Sequence, residues 1–160
     1  MEIRFAEPKD VTGMLALLRQ VGRVHHEGRP DIFRSNAQKY SASQVLNLLN
    51  SAATPIFVAV EEEKVLGYGF CIMKDYTQDS VLNPHKSLYI DDLCVDESCR
   101  GQNVAKALYD HTCGYAKNLG CAFVSLNVWC GNHRAQRFYE KMGMKARSIT
   151  MEVSLEDSQC

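Results

Sequence analysis

A short polar loop at residues 96–103, with the sequence DESCRGQN, joins an apolar stretch to a segment with helical periodicity. The first backbone N–H groups of a helix lack partners inside the helix, and the helix dipole makes that end electropositive. Such a junction suits a phosphate or pyrophosphate. Gly101 permits close backbone approach, and Arg100 and Lys106 add positive charge. The loop is neither a Walker loop nor a G-x-G-x-x-G fingerprint, so an ordinary connection is the alternative.

Four titratable side chains could move protons near neutral pH. Asp91 and Asp92 are adjacent on a predicted strand, so we expect them to point to opposite faces and only one to reach a given cleft. His25 and His26 stand in a polar stretch, and histidine titrates near neutrality. Paired histidines in such a stretch are also common as surface residues, and these have no recognisable metal-ligand spacing. No metal site is predicted.

The seven cysteines form no CxxC pair. Most lie in apolar segments, which favours reduced structural thiols over a metal or redox centre. A thiol-based metal or redox protein is therefore a disfavoured hypothesis about function.

The periodicity of the chain predicts the elements that position these residues. We expect the order strand, two helices, three strands, helix, strand, helix, strand. The first helix is predicted to end near Gly22 and to be followed by a long connection that contains the histidines. The three central strands form an antiparallel meander, and residues 145–155 form a closing strand.

Length and charge limit the class of protein. The 160 residues suit one domain over residues 1–155, with a frayed tail at 156–160. The 18 basic and 19 acidic residues nearly cancel, which argues against nucleic acid as a partner. The sequence contains no apolar run long enough to span a membrane and no basic-then-apolar leader, so a cytoplasmic location is expected.

Two segments carry a resemblance to a known family. CRGQNVAKAL resembles the acyl-CoA loop of the GCN5-related N-acetyltransferase (GNAT) superfamily, with Arg100 and Ala105 at its first and last pattern positions. NHRAQRFYEKMGM resembles the segment after the family's fifth strand. In that segment the matching residues are Asn132, Ala135, Phe138, Tyr139 and Gly143. The two motifs stand in the family's order, and the predicted elements fit it over nearly the whole chain.

The resemblance implies the fold and the reaction. The fold is an α/β (α+β) domain with a mixed, mostly antiparallel central sheet flanked by about four helices. The reaction is acetyl transfer from acetyl-CoA by direct attack of a primary amine. Tyr139 is implied as the general acid for the coenzyme A sulfur, with ordinary packing as its alternative role. Asp91 is implied to bind the acceptor amine or relay its proton, whereas Asp92 is expected to be a structural acid with substrate binding as its lesser role. Hydrogen bonds from both acids to nearby loops are the alternative.

The resemblance also implies the coenzyme A contacts. The thioester carbonyl meets a backbone N–H within residues 93–95, and Asn132 contacts pantetheine or caps a helix. The full set of implied cofactor residues is Leu93, Cys94, Val95, Arg100, Gly101, Gln102, Asn103, Val104, Ala105, Asn132 and Phe138. Asn103 stands where the family usually has glycine, and this motivates a non-catalytic acyl-CoA-binding regulatory domain as the alternative function. Asparagine tolerates left-handed backbone angles, so the loop is still expected to form.

The acceptor is less defined than the cofactor. The acids Glu27, Asp31, Asp75, Asp91 and Asp92 favour a cationic amine such as a polyamine or an aminoglycoside, with His25 and His26 as further acceptor-side residues. A protein or peptide amine is equally compatible with the near-neutral net charge. A homodimer is expected because superfamily members often dimerise.

Overall fold

The computed structural model describes residues 1–155, so the predicted tail at 156–160 lies outside the described residues. The chain forms two compact units, Met1–Asn127 and Val128–Cys160. One domain over residues 1–155 stays a prediction.

The first unit contains a five-stranded sheet. Its strands follow the spatial order β1-β2-β3-β4-β5, in which the first four are antiparallel neighbours and β5 runs parallel to β4. Their bounds are Glu2–Phe5, Ile56–Glu61, Lys64–Asp75, Lys86–Val95 and Phe123–Leu126. The predicted central meander and the mixed, mostly antiparallel sheet are confirmed.

Helices cover both faces of this sheet. The first unit contains α1 (Val11–Gly28), α2 (Ala42–Leu49) and α3 (Val104–Asn118), and the second contains α4 (His133–Lys141). On one face, α1 and α2 pack on the apolar side chains of β2 and β3. On the other face, Leu108 and Thr112 of α3 approach Gly67 and Gly69 of β3. None of the helices within residues 1–155 has the length and hydrophobicity that a transmembrane span requires.

The predicted end of α1 at Gly22 is wrong. The helix continues to Gly28, where the N–H of Arg29 donates to the carbonyl of His25 at 2.9 Å. Gly22 is instead a packing position, because the backbone carbonyl of Ala37 lies where a Cβ would stand. The absence of a Cβ at Gly22 thus lets the segment before α2 pack against α1. Because α1 continues to Gly28, both histidines lie on a helix.

The predicted closing strand is also not formed. Residues 145–155 have no strand among the described residues, and their alternating apolar side chains are exposed. These side chains are Ile149, Met151, Val153 and Leu155. Alternation predicts which side of a strand is apolar, but a strand also needs a partner for its backbone hydrogen bonds.

A buried ion pair joins β1 to the start of α1. Arg4 donates two hydrogen bonds to the Asp10 carboxylate, at 2.7 and 2.9 Å, and the N–H of Glu7 donates a third at 2.8 Å. The Asp10 side chain is only 3% exposed. Burial by itself would raise the pKa of Asp10, but these hydrogen bonds and the Arg4 charge hold it below the ordinary value.

Candidate active site

Strand β4 has two partners along only part of its length. It pairs with β3 from Lys86 to Val95, but with β5 only from Ser87 to Ile90. Within the described residues β5 ends opposite Ile90, so residues 91–95 have no partner strand on that side. Leu93, Cys94 and Val95 lie in this stretch. Backbone groups on its open edge can therefore bind an extended ligand as a neighbouring strand would.

The loop after β4 is fixed at its start and exposed at its end. The N–H of Asp96 donates to Leu66 at 2.8 Å, and the Asp96 carboxylate accepts from the N–H of Ser98 at 2.9 Å. Cys99 is buried, whereas residues 100–103 are exposed immediately before α3. The exposed N-terminus of a 15-residue helix fits a phosphate group.

Two residues of this loop adopt left-handed backbone angles. Gly101 has a φ of +79° and Asn103 a φ of +61°. Asn103 thus takes up a conformation that glycine adopts without strain, as its tolerance of these angles predicted. The expectation that the loop still forms with asparagine at this position agrees with the observed backbone angle.

The side chains around the loop differ in how they can contact a ligand. Val104 is buried, so only its backbone can face the loop, while Gln102 and Arg100 are exposed. The Arg100 guanidinium is 4.0 Å from the Glu97 carboxylate, and Lys106 is ion-paired with Asp110 one turn further along α3. Arg100 is therefore the better placed of the two cations to reach an anion at the helix start.

Replacing Asn103 by valine is expected to raise the Kd for acetyl-CoA by about tenfold, because a β-branched residue is strained at positive φ. Asn103→Gly should retain or improve binding. Calorimetric titration of acetyl-CoA measures both. Glu63→Val is the matched control, since Glu63 has a φ of +66° in the β2–β3 turn. Equal affinity of Asn103→Val and wild type would contradict the role of this backbone conformation.

Asp91 and Asp92 lie on the same side of the sheet, so the prediction of opposite faces is wrong. Phe70 pairs with Asp92 and Cys71 with Ile90, which leaves Asp91 as an extra residue on β4. Such a bulge changes the direction of a side chain and disrupts the alternation of a regular strand. Both carboxylates thereby reach the side covered by α1 and α2.

Hydrogen bonds show this arrangement directly. The hydroxyl of Tyr40 donates to Asp91 and that of Tyr68 to Asp92, each at 2.7 Å. The ring of Phe70 stacks on Tyr40 at 5.3 Å and meets Tyr68 edge-on at 4.9 Å. The three rings thus form one layer that supports both carboxylates. We name the carboxylates of Asp91 and Asp92 the carboxylate pair.

Burial perturbs the titration of the Asp92 carboxyl. Burial raises its pKa above the ordinary value, partly opposed by the Tyr68 hydrogen bond and by the charges of Lys39 and His25. Burial also raises the pKa of Tyr68, so its hydroxyl stays protonated as the donor. A carboxylate with a raised pKa is a better proton acceptor than an ordinary aspartate. The sequence assigned Asp92 only a secondary role.

Asp91 is held by an ion pair that the sequence did not predict. The Lys39 ammonium lies 2.7 Å from the Asp91 carboxylate and also donates to the Asp91 carbonyl oxygen at 3.1 Å. Tyr40 contacts the same carboxylate and carries a pKa raised by burial and by this hydrogen bond. The only advance signal for Tyr40 was its position directly before the capping box of α2.

The histidines lie in the last turn of α1. The ring of His25 packs on Phe33 at 4.9 Å, and Nδ1 of His26 is 2.7 Å from the Phe33 carbonyl oxygen. The charge of His25 acts on Asp92, whereas His26 is used to hold the following segment. Of the two, His25 is the one that acts on the pKa of Asp92.

Gln20 connects α1 to the end of β4, a role that sequence reasoning missed. Its side-chain amide donates to the Val95 carbonyl at 3.0 Å and accepts from the N–H of Glu97 at 3.2 Å. The same side chain therefore fixes both sides of the point where strand becomes loop. A polar residue on the inner side of an amphipathic helix was the available signal.

The second unit contains the other predicted motif. Asn132 begins α4 and accepts a hydrogen bond from the N–H of Ala135 at 3.1 Å, so its capping role is confirmed. Phe138 and Tyr139 are half-buried on this helix, and their ring centroids are 5.1 Å apart. Contacts of Asn132, Phe138 and Tyr139 with a substrate stay predictions.

Comparison with known proteins decides the family. The family model described as "Acetyltransferase (GNAT) family" matches residues 23–144, which include the loop, the carboxylate pair and α4. The chain belongs to the GNAT acetyltransferase family. The resemblance seen in the two motifs and the fold predicted from it are thus confirmed, and GNAT family members use acetyl-CoA.

Three known proteins show how similar this chain is to others in structure and in sequence. A mutant of the BH1408 protein from Bacillus halodurans has a crystal structure with TM-score 0.92 and 31% identity, covering 97% of this chain and 99% of that one. A glucosamine 6-phosphate N-acetyltransferase of Trypanosoma brucei brucei is 34% identical over 67 residues. That match covers 42% of this chain and 44% of the enzyme's length.

The third protein is more distant. An aminoglycoside N-acetyltransferase solved in complex with CoA has TM-score 0.69 at 17% identity, covering 96% of this chain and 99% of that one. This likeness shows the fold alone.

Proposed function

We propose that this protein transfers the acetyl group of acetyl-CoA to a primary amine. The observation that carries the proposal is the β4–α3 junction within the family match: an open strand edge, an exposed helix start and two residues with positive φ. These features fit an extended pantetheine arm followed by a pyrophosphate. They support residues 93–95 and 100–105 as the coenzyme A contacts.

The proposed reaction is one direct transfer. The amine nitrogen attacks the thioester carbon, a C–N bond forms, and the C–S bond breaks. The amine's proton passes to the carboxylate pair, and Tyr139 protonates the departing thiolate. We assign amine binding to Asp91 and proton acceptance to Asp92, because Asp92 has the pKa raised by burial.

The Lys39 ammonium beside Asp91, and the basic segment that carries it, support an acceptor with an anionic group. Two of the acids that favoured a cationic acceptor are held in ion pairs: Asp91 pairs with Lys39, and Asp31 pairs with Arg29 at 2.6 Å. Residues 19–40 carry five basic and two acidic side chains: Arg19, Arg23, Arg29, Arg34 and Lys39 against Glu27 and Asp31. The named substrate of the Trypanosoma relative is likewise a phosphorylated amine.

A panel of acceptors tests this assignment. Glucosamine 6-phosphate, glucosamine, spermidine, an aminoglycoside and a lysine peptide are compared by kcat/KM at fixed acetyl-CoA. We expect the phosphorylated amino sugar to exceed glucosamine by at least about tenfold, the size of one favourable charge contact. A preference for spermidine or for the peptide would contradict an anionic acceptor while leaving acetyl transfer intact.

Substitution of each carboxylate separates the two roles. Asp91→Asn should raise the KM for the amine about tenfold with little change in the KM for acetyl-CoA. In wild type, kcat/KM should fall as the pH drops through the Asp92 pKa, because the Asp92 carboxylate must be ionised to take the amine's proton. This acidic limb of the pH profile should lie above the ordinary aspartate value of about 3.9. Asp92→Asn should remove that limb.

Exchange of the two phenotypes would reverse the assignment. Asp75→Asn is the control, since Asp75 accepts hydrogen bonds from Thr77 at the other end of β3. The alternative of a non-catalytic acyl-CoA-binding domain rested on Asn103, and the left-handed backbone there gives it no further support.

A further inference from the structure

The carboxylate pair already contains an ammonium group. The Lys39 Nζ lies 2.7 Å from the Asp91 carboxylate, 3.1 Å from the Asp91 carbonyl oxygen and 5.6 Å from the centre of the Tyr40 ring. A carboxylate, a carbonyl and an aromatic face are together the groups that recognise an alkylammonium ion. A side chain of the protein therefore fills a site whose chemistry suits a primary amine.

The two partners differ in how firmly they are held. The Asp91 side chain is 16% exposed and is fixed by the Tyr40 hydroxyl, whereas the Lys39 side chain is 42% exposed. Lys39 stands in the segment between α1 and α2, which has no regular secondary structure. Ion pairs with an exposed lysine contribute little net stability. Lys39 can thus leave at small cost, while Asp91 remains in place.

We propose that Lys39 determines which acceptors bind, as an internal competitor for the ammonium site on Asp91. This inference rests on the proposed function and deepens it. An entering amine must displace the Lys39 ammonium, which then needs a new anionic partner. A phosphorylated amine supplies one in the same molecule. A polyamine brings only further positive charge, so the displaced Lys39 repels it.

The ion pairs of neighbouring residues limit the partners that a displaced Lys39 can find. Arg29 is already paired with Asp31, and Arg23 lies 3.6 Å from Glu97. The acids on residues 19–40 are Glu27 and Asp31, and Asp31 is paired with Arg29. The Lys39 charge also acts on Asp92, which is the proposed proton acceptor. An acceptor's own phosphate therefore gives the displaced lysine a partner and leaves Asp92 to accept the proton.

Binding titrations of Lys39→Met test the inference without relying on turnover. Glucosamine 6-phosphate, glucosamine and spermidine are titrated calorimetrically, with coenzyme A present and absent. We expect Lys39→Met to lower the Kd for spermidine about tenfold and to reduce the advantage of glucosamine 6-phosphate over glucosamine by about the same factor. Lys39→Arg should keep the wild-type pattern, because it retains the charge.

Two controls make the result specific. Lys9→Met removes an exposed lysine paired with Glu7 and should leave the Kd of all three ligands unchanged. Asp91→Asn added to Lys39→Met should abolish the spermidine gain. If Lys39→Met is poorly folded by its thermal transition, Lys39→Gln replaces it.

The outcomes separate this inference from the proposed function. Unchanged spermidine affinity in folded Lys39→Met and Lys39→Gln overturns the competitor role, whatever the enzyme acetylates. The expected shifts in Kd without any acetyl transfer uphold the competitor role and overturn the proposed function.

Discussion

Replacing Tyr139 by phenylalanine is expected to lower kcat about 100- to 10,000-fold, the range that general acid catalysis contributes. The substitution removes only the hydroxyl, so the ring packing on Phe138 within α4 is retained. Acetyl-CoA binding should therefore change little. Steady-state kinetics with a good amine acceptor measure the effect, and acetyl-CoA calorimetry confirms that the cofactor still binds.

A tyrosine elsewhere in the chain provides the control for Tyr139. Tyr76 packs its ring on His85 in the β3–β4 connection, at 5.0 Å between centroids. Tyr76→Phe should leave kcat unchanged. A Tyr139→Phe enzyme with wild-type kcat would assign Tyr139 to packing, and the proton for the thiolate would then come from another group or from water.

Replacing Arg4 by methionine is expected to destabilise the protein by about 3–5 kcal/mol at neutral pH, because it leaves the Asp10 carboxylate buried without its counterion. Asp10 lies in the turn that begins α1, the helix that carries Gln20 and His25. Urea unfolding at several pH values measures the loss. Arg23→Met, which removes an exposed pair with Glu97, should cost no more than about 1 kcal/mol.

The pH dependence of this loss has a definite sign. In wild type the folded pKa of Asp10 is depressed, so the carboxylate contributes stability above its unfolded pKa of about 3.9 and loses it as the pH falls through the folded pKa. In Arg4→Met that contribution is absent. The difference between the two proteins should therefore be largest near pH 7 and shrink in acid. A pH-independent difference would mean that Arg4 acts through packing alone.

The sequence predicted the conformation of the loop between β4 and α3 better than the arrangement of the carboxylate pair. Arg100, Gly101 and Asn103 are contiguous, so the loop can be recognised from local sequence and from the backbone angles that glycine and asparagine tolerate. The helix that follows was also evident from its own periodicity. Local signals are sufficient where a site is built from one continuous segment.

The carboxylate pair depends on contacts between segments that are distant in sequence. The Tyr40 hydroxyl meets Asp91 across 51 positions of sequence, and the Asp91 bulge exists only because β3 and β4 pair in one register. Gly22 misled the helix prediction because its lack of a Cβ serves the approach of Ala37 and does not end α1. Register and close packing are properties of the folded chain that a single sequence does not display.

If the protein is an N-acetyltransferase, it consumes acetyl-CoA only when an amine is present. The most direct measurement follows coenzyme A thiol release while mass spectrometry counts the acetylated amine in the same sample. We predict no appreciable release without amine, and release equal to the acetylated product once a suitable primary amine is added. Tight binding of acetyl-CoA with no thiol release across the acceptor panel would contradict acetyl transfer by this protein.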